Sequence, residues 1–99
     1  MRKAANECTS LAEIRQEIDL IDQQVIKLWG QRFQYVLAAA PFKTDQLAVQ
    51  APDRFKAMLA DRQQWAIAAG LNPVLIAQIY TDLVQYFIDE ELKHWQKQS

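Results

Sequence analysis

The sequence predicts an all-α protein of three helices, the first of them long. Three observations carry this reading. Apolar residues recur at alternating steps of four and three, each such run is bounded by a capping residue, a proline or a glycine, and no strand-like alternation bounded by turn residues occurs in the 99 residues. A chain of this length reads as one domain, 1–99, with little interior of its own unless it pairs with another chain.

Residues Met1 to Thr9 carry no periodicity, whereas Ser10-Leu11-Ala12-Glu13 has the spacing of a capping box and predicts a helix start. Ile14, Ile18, Ile21, Val25 and Leu28 then form a narrow seam that continues through Arg32 to Tyr35 and Val36. The run reaches Ala40 and meets Pro41, which ends or kinks it. Roughly thirty residues at 1.5 Å each make a rod of about 45 Å, against about 34 Å for a globule of this length. Such a rod overhangs its own chain, and a second copy packed along the overhang gives a homodimer with interleaved helices. The alternative is that Gly30 divides the rod into two ordinary helices.

Phe42 to Ala51 has mixed character and reads as a loop. Pro52 suits a first helical turn, and Phe55, Met58, Leu59, Trp65 and Ala66 mark one side of a second helix that Gly70 stops. Asn72-Pro73 repeats the start signal, and Ile76, Ile79, Tyr80, Leu83, Val84, Phe87 and Ile88 define a third helix to about Gln96.

Composition narrows the function. A net charge of −1 lacks the basic excess of a phosphate-tracking protein, so no nucleic-acid partner is expected and any cationic site is local. Cys8, the single cysteine, has no neighbouring His to activate it and no partner for an intrachain disulfide, which points to a reducing, cytoplasmic setting. No apolar stretch suits a signal peptide or a membrane span, so no membrane partner is expected. No Cys/His, Ser/His or metal-ligand cluster is present, and neither a metal nor a cofactor is expected. His94, near the end of the third helix, reads as a surface residue, and the three tryptophans as core or dimer contacts.

The cations are more informative. Arg32 takes a seam position where an aliphatic residue belongs, and a buried guanidinium is costly unless an anion meets it. Lys43 follows eleven residues later, about three turns, so if the helix persists both cations face one side about 16 Å apart. Arg15 precedes Arg32 by seventeen residues, about 100° round the helix, so a single chain does not aim both at one point, and in a dimer Arg15 serves the neighbouring site. Arg54, on the first turn of the second helix, is a fourth cation. Structural salt bridges to Glu17, Asp19 and Asp22 are the competing account.

At this point the chain resembles the all-helical chorismate mutases, and among them the isochorismate-pyruvate lyase branch of salicylate and siderophore synthesis. The resemblance runs from Cys8 to Trp95. It rests on Leu11-Ala12-Glu13-Ile14-Arg15 with Ile18-Asp19 and Ile21-Asp22, on Arg32 with Tyr35-Val36 and Lys43, on Ala51-Pro52-Asp53-Arg54, and on Phe87-Ile88-Asp89-Glu90-Glu91 with Trp95. It implies an intertwined homodimer in which Arg15 of one chain completes a site made by Arg32, Lys43, Arg54 and Glu91 of the other, with Met58, Phe87 and Ile88 beside them. The implied substrate is a small dicarboxylate with an enolpyruvyl ether, isochorismate or chorismate. Its ether C–O bond breaks in a concerted cyclic shift that needs no nucleophile, only a held conformer and charge stabilisation at the ether oxygen. Arg15 and Arg32 would hold the carboxylates, Lys43 would reach the ether oxygen, and the catalytic set would be Lys43, Glu91 and Arg32.

Two departures from the usual mutase pattern bear on the choice of activity, and the first of them looks like the lyase branch. Mutases of this family usually show Asp-Pro-x-Arg-Glu at the second helix, whereas here the string is Ala51-Pro52-Asp53-Arg54-Phe55, without either acid. Bacterial relatives carry Gln where this chain has Glu91. An ionised Glu91 would repel the ether oxygen and a protonated one would donate to it, so activity is expected to fall as pH rises. Some fungal mutases have Glu there, which keeps the mutase as the alternative, beside a non-catalytic helical dimer. Pro41 is expected to place Lys43 in a mobile loop suited to a lid.

Overall fold

Ser10 starts the long helix as its spacing predicts. The Ser10 hydroxyl accepts from the Glu13 amide at 3.1 Å, and the Glu13 carboxylate reaches back to the Thr9 amide at 2.9 Å. The computed structural model describes residues 4–98, with side chains to residue 96. A 3-10 turn at Ala5–Glu7 precedes α1 (Leu11–Ala39), and a second 3-10 turn at Ala40–Phe42 is followed by α2 (Gln46–Gln50), α3 (Pro52–Ala68) and α4 (Pro73–Gln98). No strand occurs among the described residues. No described helix is long and apolar enough to cross a membrane.

The chain divides into two units, Met1–Tyr35 and Val36–Ser99. In the first, α1 runs unbroken through Gly30, so the alternative of two shorter helices does not hold. A single interior glycine weakens a helix by about 1 kcal/mol, too little to stop one with good formers on both sides. No residue of α1 is buried. Leu11, Ile14, Ile18, Ile21 and Leu28 of the expected seam are exposed, Leu28 at 59%.

The second unit is built on α4. α3 packs against it along their lengths, and the 3-10 turn and α2 pack against it as well. Val49, Met58, Ala66, Val84 and Phe87 are buried there, each large side chain contributing about 1.5–3 kcal/mol by leaving water. Trp65, read as a core or dimer contact, is 59% exposed in the single chain.

Connections follow local chemistry. Pro41 ends α1 as expected, and the chain tightens into the 3-10 turn. The segment read as a loop from Phe42 to Ala51 holds a further short helix, because Asp45 caps it by accepting from the Ala48 amide at 2.7 Å. Five residues are too few to show a period, which is why the apolar pattern missed it. Ala51 ends α2 and starts α3 with φ 43° and ψ 61°, a left-handed conformation unfavourable for any residue with a Cβ. Gly70, at φ 79°, closes α3 as a Schellman cap: Leu71 N–H donates to Ala66 O and Gly70 N–H to Ile67 O. Asn72 Oδ1 then accepts from the amides of Val74 and Leu75 and opens α4.

Candidate active site

Lys43 stands just after the 3-10 turn, where its N–H donates to Ala40 O at 3.1 Å and its own backbone is extended (φ −87°, ψ 136°). Helical arithmetic from Arg32 therefore does not reach it: α1 ends at Ala39, so the condition for a three-turn alignment, a helix that persists to Lys43, is not met. Past that end Lys43 makes contacts of its own. Its carbonyl accepts from Trp95 Nε1 at 3.1 Å, its Nζ donates to Ala48 O at 3.2 Å, and Nζ lies 3.3 Å from Glu91 Oε2.

Among the described residues, Glu91 is the buried charge of this unit, 4% exposed. It falls on the inner stripe of α4, one turn after Phe87, because residues four apart share a helix face. Its contact with Lys43 is ionic rather than an aligned hydrogen bond, and Oε2 has no hydrogen-bond partner. Removing one member of such a pair leaves an uncompensated charge, at a cost of about 3–5 kcal/mol. An ammonium carries three donors, so with one on Ala48 O, Lys43 retains capacity for a further acceptor.

In the same unit, Met58 on α3 and Phe87 on α4 are buried, and Ile88 is half-buried. Ile88 also lines a cavity of about 280 Å³ with Gln50, Pro52, Phe55 and Gln85. Arg54 is exposed on the first turn of α3. In the first unit Arg15 is exposed and Arg32 half-buried on the unbroken α1, so their separation of about 25 Å along the axis and about 100° round it stands. Among the described residues, no group of three His, Cys, Asp or Glu could hold a metal ion.

Trp95 is the participant that residue patterns did not disclose. It reads as core filler, and only its spacing of four from Glu91 hints that both meet the same neighbour. His94, read as a surface residue, is half-buried.

The helices of this unit thus bring the buried Glu91 of α4 to 3.3 Å from the half-buried Lys43. The chain belongs to the chorismate mutase type II family, whose model matches residues 14–92. An isochorismate pyruvate lyase of Pseudomonas aeruginosa is similar to it, 37% identical over 95 residues that cover 96% of this chain and 94% of the relative. The fold is thus the all-α chorismate mutase fold, with its long first helix.

Proposed function

We propose that this protein is an isochorismate pyruvate lyase, converting isochorismate to salicylate and pyruvate, with weak chorismate mutase activity in the same pocket. The observation that carries the site is the Lys43 ammonium, fixed at 3.3 Å from a buried Glu91 and retaining a donor for an incoming oxygen. The choice of lyase leans on the near full-length similarity to an isochorismate pyruvate lyase and on Ala51 and Phe55, neither of which is an acid.

In the reaction the ether C–O bond of isochorismate breaks while a ring hydrogen passes to the pyruvyl carbon. Charge grows on the ether oxygen, where Lys43 stabilises it in a partly desolvated setting. Arg32 of the same chain and Arg15 of a second chain hold the two carboxylates, at about 1.5–3 kcal/mol for each charge-assisted contact. Arg54 adds positive charge, while Met58, Phe87 and Ile88 shape the wall. Glu91 pairs with Lys43 at 3.3 Å and orients its ammonium towards the ether oxygen.

The active form is a homodimer. The exposed apolar seam of α1 is a surface that water-soluble chains cover, and a second copy covers it while bringing Arg15. One domain, cytoplasmic placement and a role in supplying salicylate for siderophores complete the reading.

A chorismate mutase is the second reading, favoured by the family match and by a Glu rather than a Gln at position 91. Purified protein given isochorismate and chorismate separately decides. Salicylate fluorescence from the first, far above prephenate from the second, is the expected result; the reverse order makes it a mutase, and silence from both leaves a non-catalytic dimer.

A further inference from the structure

We infer that Trp95 is a positioning residue for Lys43, holding the lysine's backbone while Glu91 holds its side chain. The inference rests on the proposed role of Lys43. Because Lys43 is extended, its carbonyl lies outside every helical hydrogen-bond ladder, and its acceptor capacity is met by the indole N–H of Trp95, 52 residues away, at 3.1 Å in a part-buried setting. The Lys43 amide is tied to Ala40 and the Asp45 cap to Ala48, and the 3-10 turn and α2 that flank the lysine pack against α4. That packing sets where the segment lies. At Lys43 itself two contacts from α4, one full turn apart, hold the residue: Glu91 to Nζ at 3.3 Å and Trp95 to the main-chain oxygen at 3.1 Å.

Two anchors do what one cannot. A lysine side chain has four rotatable carbons, and an ion pair alone lets the backbone shift while the ammonium stays close to its carboxylate. With the carbonyl fixed as well, the side chain spans two set points and Nζ is confined. Placement of a charge to within a fraction of an ångström is what electrostatic stabilisation of a reacting oxygen requires.

Trp95→Phe keeps an aromatic ring and removes the donor. The test combines it with Lys43→Ala, reading salicylate formation in all four proteins. Trp95→Phe is expected to lower kcat about threefold to tenfold with little change in KM, the range one hydrogen bond controls, and to have no further effect where Lys43 is already alanine. An equal loss from Trp95→Phe in both backgrounds makes Trp95 merely structural and overturns the inference, as does an undiminished kcat. If instead Lys43→Ala is itself fully active, the functional reading fails, separately from the claim about Trp95. Should Trp95→Phe lose its helical circular dichroism, ¹⁵N-labelled unsubstituted protein carries the test. The Trp95 indole N–H is expected to exchange slowly with solvent, and exchange as fast as a free indole overturns the tether.

Discussion

On the proposed reading Glu91 and Lys43 share one task. Glu91 is buried 3.3 Å from the Lys43 ammonium, so a carboxylate at this position bears on the field that would reach a bound ether oxygen. Glu91→Gln, which keeps the shape and removes the carboxylate, is expected to change kcat for salicylate formation by about threefold or more with KM little altered. An unchanged kcat would remove Glu91 from the chemistry. Sequence spacing located this residue because helical periodicity holds throughout α4. It could not place Lys43, because Pro41 ends that periodicity, and past a helix end the direction of a side chain depends on contacts such as Trp95 to Lys43 that no local pattern encodes.

Elements were legible where their ends carry strong chemical signals. Ser10, Asn72 and Gly70 each mark a boundary that backbone hydrogen bonds then make. Gly70 gives a clean test of one such signal. A Cβ placed there meets nothing within 4 Å, so the whole penalty for Gly70→Ala lies in holding alanine at φ 79°. The substitution is expected to cost about 1 kcal/mol and to lower the thermal midpoint by about 4–8 °C, followed by circular dichroism. No loss would mean that α3 can end in another way. Ala51 already bears such strain at φ 43° without a glycine to relieve it, in the string where mutases of this family usually carry an aspartate.

For the whole molecule, the long first helix was the most legible feature and its surroundings the least. Periodicity announces the apolar seam but not what covers it, since in one chain Ile18 and Leu28 remain exposed. The proposed dimer makes these residues the hinge of both assembly and activity. Unsubstituted protein is expected to sediment at twice 11.5 kDa. Ile18→Glu is expected to bring it toward a single chain, with salicylate formation lost in step because Arg15 no longer reaches a neighbouring site. A monomer that turns over isochorismate would refute the arrangement.

Trp95 lies in the final turn of α4, which ends at Gln98. Terminal turns of helices open and reclose far more readily than their middles. On the inference drawn for Trp95, the lysine's backbone support is tied to one of the first parts of the molecule to loosen on warming, and turnover is expected to fade while the chain is still almost wholly folded.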